Sequence, residues 1–239
     1  MIQTYKWTDK MRYLDFANIL STARMSRYLM ACDRDTRRAM TLYRKNLQLS
    51  QELFTIISCF EVALRNAIDK HYLNSLGNEW LRMAAAKGGI FDNARCRVSC
   101  QTISEEVRKL NHQYTHAKLV AALGFGFWRY LYSPHQYRAG GQTLLSVFSS
   151  RPSSSPTTQY NATYVFNELQ QINAIRNRIA HHEPICFAPS QPVIDTTFAR
   201  QQYNLILQLF QWMSINESAL LYGLDHIIVV CNEIDNLKS

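Results

Sequence analysis

The chain has 239 residues, 47% of them hydrophobic and 18% charged. That excludes a disordered chain and allows a substantial buried core. A formal charge of +8 favours a polyanionic partner such as nucleic acid, although a mildly basic soluble protein meets the same description.

The first seven residues read as a tail without the charged start and apolar middle of a signal peptide. No apolar run approaches the ~18 residues of a membrane span, so no membrane partner is expected. The six cysteines, at 32, 59, 96, 100, 186 and 231, include no Cys-x-x-Cys pair. Zinc is therefore not expected, Cys59 and Cys231 read as core thiols, and a reducing cytoplasm suits the set.

The expected fold class is all-α, a multi-helix bundle with long core helices. From about Asp9, the residues Met11, Leu14, Phe16, Ile19 and Leu20 predict a first helix. Met25 to Ala31 continues it or starts a second, with Asp33 as a cap before Arg34. Thr36 to Gly77 is the longest helical run, with Ser50 as the candidate start of a second segment. Leu42, Leu47, Leu49, Leu53, Ile56, Ile57, Phe60, Leu64 and Ile68 mark its buried side. Arg34, Arg37, Arg38, Arg44 and Lys45 read as a solvated face or as a phosphate track.

Within that run, Glu61 and Arg65 stand four apart, the spacing of a helical ion pair. In apolar surroundings they read as a structural salt bridge. The alternative, compatible with it, is that Glu61 or Asn66 orients His181 or Arg176. Gly77-Asn78 and Gly88-Gly89 are breaks, with a short helix or turn at Glu79-Trp80-Leu81 between them. Asn93 to Cys100 reads as basic surface and Cys100 to Asn111 as helix. His112 and His116 have a chelating spacing but no third ligand, so they are taken as exposed.

Thr115 to Tyr132 is predicted as one helix. Gly124 and Gly126 inside it imply a close helix crossing. Its aromatic block is read as core, with Trp128 or Tyr130 alternatively stacking an RNA base and Arg129 contacting phosphate. Residues 149–158 form a polar, proline-punctuated loop, and 188–192 another. Thr196 to Ser214 and Leu220 to Leu237 are the last helices. The β-branched run Ile227 to Val230 is taken as helical because no second strand is available to pair it.

The most chemically dense stretch is Arg176-Asn177-Arg178-Ile179-Ala180-His181-His182-Glu183-Pro184. Val165, Phe166, Leu169, Ile172, Ile175 and Ile179 follow the spacing of one buried helical face. Pro184 ends the helix, which puts His181 and His182 in its last turn. The carbonyl end of a helix favours a cation, and an imidazole takes up and returns a proton near neutrality. Asn177 shares a face with His181. Arg176 lies about 140° around the helix from it, so its long side chain or a second copy of the helix must close the gap.

This stretch resembles the Arg-x4–6-His signature of the HEPN superfamily of helical RNA-cleaving domains. Together with Phe60-Glu61-Val62-Ala63-Leu64-Arg65-Asn66 and Leu123-Gly124-Phe125-Gly126-Phe127-Trp128, it is similar to the Abi-like (abortive infection) family of bacterial proteins. The resemblance spans roughly residues 25–190 and implies one HEPN-type domain over 1–239, with helices of about 196–237 packed on the motif-bearing core.

It implies a metal-independent endoribonuclease that uses the RNA 2′-hydroxyl, leaves a 2′,3′-cyclic phosphate and needs no cofactor. His181 would transfer the proton, Arg176 would stabilise the transition state, and Asn177 would orient the phosphate or His181. His182 would share the proton transfer or cap the helix. Glu61, Arg65 and Asn66 would be supporting residues. The implied partners are RNA, a second copy in a homodimer and an antitoxin, in a setting of phage defence or toxicity. The alternatives are a non-catalytic RNA-, nucleotide- or partner-binding module, and a purely structural polar network.

Overall fold

A computed structural model describes residues 11–238. The N-terminal tail and the start of the first predicted helix at Asp9 lie outside them. The described residues form an all-α protein with no β-strand among them, only one isolated bridge between Phe187 and Ile194. The order is α1 (Tyr13–Leu20), α2 (Thr22–Ala31), α3 (Thr36–Leu76), α4 (Trp80–Ala85), α5 (Arg97–Leu110), α6 (His116–Ala122), α7 (Phe125–Tyr130), α8 (Pro134–Ala139), α9 (Ala162–Ala180), α10 (Thr197–Trp212), α11 (Glu217–Leu220) and α12 (Ile227–Asp235).

The chain divides into two compact units. The first runs to Phe54 and takes in Arg178–Tyr203 and the stretch from Gly223. The second comprises Thr55–Asn177 and Asn204–Tyr222. Helices α3, α9 and α10 each contribute to both.

In the first unit, α3 starts at a cap two residues later than predicted. Asp35, not Asp33, accepts from the backbone N–H of Arg37 (2.8 Å) and Arg38 (3.0 Å). These bonds, Arg38's first, hold its carboxyl below the usual range. Asp33 and Arg34 form the left-handed turn before it, at φ 50° and 66°. Ser50 does not interrupt α3. The core centres on Tyr43, whose ring meets Phe16 at 5.5 Å and Tyr28 at 5.1 Å. Tyr28 in turn meets Phe187 at 5.0 Å. On α12, Ile227, Val230, Cys231 and Ile234 are buried, so the β-branched run is one face of a helix.

In the second unit, Trp80 is the hub. Its ring lies 4.5 Å from Tyr72 and 6.5 Å from Trp128, while Phe60 meets Phe210 at 5.2 Å. The single helix predicted over Thr115 to Tyr132 is two helices, because Leu123 and Gly124 are extended, with ψ 121° and 170°. No close crossing explains the glycines. A Cβ on Gly124 would meet nothing within 4 Å, and one on Gly126 only Asn173 Oδ1 at 4.0 Å.

Over one window, α3 is apolar and long enough to cross a membrane by length and composition, which corrects the expectation that no stretch is. A core helix passes the same test. Leu49, Leu53, Ile56, Ile57, Phe60, Leu64 and Ile68 are buried on it, while Leu47 is exposed. All six cysteines are free. Cys231 is buried, and Cys59 only half-buried.

Candidate functional site

The first unit holds the histidine pair. Helix α9 closes at Ala180, so His181 and His182 sit just past its last turn rather than in it. His182 has φ 56°. Its N–H donates to Ile179 O at 2.9 Å, and that of Glu183 donates to Arg178 O at 2.9 Å. This is a Schellman closure with histidine in the left-handed position glycine usually takes. Arg178 locks the corner from outside, donating to Glu183 Oε2 (3.2 Å) and Pro184 O (2.8 Å). Beyond the proline, Ile185 N–H donates to Oδ1 of buried Asn46 at 2.9 Å.

Both imidazoles are exposed. They line a cleft of about 290 Å³ opposite Arg24, Arg27 and Tyr28 of α2. Arg24 Nη1 donates to the His182 carbonyl at 2.7 Å. Arg27 Nη2 donates to the carbonyls of Ala188 (3.0 Å) and Gln191 (2.7 Å), and its guanidinium lies 4.5 Å over Phe187. Burial pushes the Tyr28 phenol well up, so it stays protonated. Two arginines and two histidines thus line one solvent-open cleft, with Glu183 the carboxylate among its lining residues. Neither Arg24 nor Arg27 is legible as a site residue in the sequence. They come from a short helix more than 150 positions away, and the only hint is their i, i+3 spacing on one face of it.

No family model, curated protein or solved structure matches the chain. Its chemistry is therefore argued from its own residues.

Arg176 and Asn177 belong to the second unit and are not among the residues lining the histidine cleft. Arg176 is half-buried, and its Nε is shielded without a hydrogen-bond partner, while Asn177 is exposed. The predicted ion pair between Glu61 and Arg65 does not form. Arg65 Nε is also shielded and unpartnered. With Asn66, Arg65 lines a separate cavity of about 460 Å³ rather than the histidine cleft.

Asp69, Glu79 and His116 line the same cavity. His116 is not the exposed residue predicted. Its Nε2 lies 2.7 Å from Asp69 Oδ1, the oxygen that also accepts from Trp80 Nε1 at 2.7 Å. Trp128 is fully buried and donates Nε1–H to Leu123 O at 2.9 Å. It has no face to offer a base, and the core reading holds. Among the described residues, no group of three or more His, Cys, Asp or Glu side chains is arranged to hold a metal ion.

Proposed function

We propose that the chain is a metal-independent endoribonuclease of the HEPN type, acting in bacterial phage defence as an abortive-infection or toxin-like protein. The observation that carries this reading is the cleft in which His181 and His182 face Arg24 and Arg27. Proton transfer beside a fixed cation is what phosphodiester chemistry needs.

An imidazole takes the proton from the RNA 2′-hydroxyl. The 2′-oxygen attacks the adjacent phosphorus, and the bond to the 5′-oxygen breaks. That oxygen leaves with the proton the imidazolium returns, giving a 2′,3′-cyclic phosphate and a 5′-hydroxyl. His181 is assigned the proton transfer, and His182, which turns the chain out of α9, either shares it or only caps the helix. Arg24 is assigned to the charge that builds on the phosphoryl oxygens. Arg176 and Asn177, one turn earlier on α9, are assigned to phosphate stabilisation and orientation, and a homodimer would supply a second set. An antitoxin would restrain the activity.

One observation favours a non-catalytic reading. Arg27 and Arg24 both donate to backbone carbonyls, so the cluster also serves as a brace. The test is cleavage of single-stranded RNA in the presence of a chelator by the wild type, Arg176→Ala and His181→Ala. The expected result is cleavage by the wild type and loss of it in both variants. Full activity in both rejects the assignment, while RNA affinity without cleavage of any RNA selects the binding module.

A further inference from the structure

In the second unit, α7 packs along α9. Tyr130 meets Phe166 at 6.4 Å, the Arg129 guanidinium lies 4.6 Å over the Phe166 ring, and Gly126 faces Asn173. Packing on Phe166 does not account for three features of this seam. Arg129 Nε is shielded from water without a hydrogen-bond partner, and burial pulls the guanidinium's pKa down, so its charge is held where the protein provides no counter-charge. Gly126, inside a helix, costs about 0.5–1 kcal/mol relative to alanine, yet the space its Cβ would fill is open. Phe166, Gln170, Asn173 and Asn177 fall within a band of about 60° on α9 and make a stripe about 16 Å long. Glu168, the only carboxylate in α9, lies about 200° around from Phe166.

A cation without an anionic partner, a row of amides that donate and accept, and glycines that leave room for a chain to approach are the parts of a track for a phosphate backbone. We propose that single-stranded RNA runs along this seam of α7 and α9, its phosphates held by Arg129 and by the Gln170–Asn173–Asn177 stripe, with Gly124 and Gly126 as the floor. The track deepens the proposed function by naming the path of the substrate strand and rests on that reading for the chemistry. The binding itself stands independently of cleavage.

The probe is a short fluorescein-labelled strand of 2′-O-methyl RNA, which lacks the nucleophile and cannot be cut. Its affinity is read by anisotropy at several salt concentrations. Arg129→Gln is expected to weaken binding about tenfold and to lower the salt slope by about one. Gly126→Glu is expected to weaken binding similarly while raising the melting temperature, because any helix former outperforms glycine there. Gly126→Ala should raise the melting temperature and leave affinity unchanged. Gln170→Glu, an exposed near-isosteric change, guards against misfolding and should also weaken binding.

Wild-type affinity in Arg129→Gln, Gly126→Glu and Gln170→Glu overturns the track, even if ordinary RNA is still cleaved. Weakened binding in these variants, with no cleavage of ordinary RNA by the wild type, upholds the track and removes the nuclease.

Discussion

Arg24 donates from Nη1 to the backbone carbonyl of His182 at 2.7 Å, so a cation from α2 is pinned to the residue that turns the chain out of α9. This bond places a guanidinium beside the histidine pair. It also ties the position of the charge to the closure of the helix. Arg24→Gln removes the charge and keeps a donor. The expected outcome is a loss of about tenfold to a hundredfold in RNA cleavage, with the thermal midpoint nearly unchanged because Arg24 is exposed. Cleavage rate and melting temperature measured on one preparation separate the two effects.

His182 holds φ 56°, a conformation that disfavours any side chain with a Cβ. His182→Gly is expected to stabilise the protein by about 0.5–1 kcal/mol in urea unfolding. If His181 carries the proton, cleavage falls by less than about tenfold. A collapse of activity in this variant would move the proton transfer to His182.

Asp69 accepts through one oxygen from both Trp80 and His116. Trp80 is almost wholly buried, so losing this acceptor strands its indole N–H. Asp69→Ala should cost about 2–4 kcal/mol, read as a lower urea midpoint. Asp69→Asn keeps the acceptor and should recover most of the loss. Equal losses in both variants would place the weight on the carboxylate charge instead.

The α10–α12 contact sets an acid limit. Burial pushes the Asp235 carboxyl up, but hydrogen bonds from Lys238, Thr196 and Arg200 outweigh this and hold it below its ordinary value. Thr197 does the same for Asp195. A depressed folded value means the stabilisation is complete above the unfolded value near 3.9 and is lost as pH falls through the folded one. The melting temperature should therefore drop below about pH 4, and Asp235→Asn should flatten that drop while lowering stability at neutral pH.

Much of the helical layout was legible because α3 and α9 each carry a long apolar stripe at the helical period, and Trp128 reads as core from its neighbours. The break at Leu123 was hidden, since Gly124 fits a helix interior as well as a boundary. The pairing of Asp69 with His116 and the approach of Arg24 to His182 were not legible. Each joins residues far apart in sequence, and periodicity carries no information about which helices meet. Asn46 did leave a signal: it interrupts the stripe Leu42, Leu49, Leu53 as a lone polar residue, and it proves to accept from Ile185. Asn46→Ala, which orphans that buried N–H, should cost about 1–3 kcal/mol by chemical denaturation.

The same bond governs how the histidine corner moves. With Arg178 gripping Glu183 and Pro184 and with Asn46 catching the next amide, the corner is fastened both upstream and downstream of its imidazoles. An imidazole mounted this way swings only about its own side-chain torsions. Hydrogen exchange at Ile185 should accordingly be as slow as in the middle of α3, and a partner that restrained the protein would have to cover the corner rather than bend it.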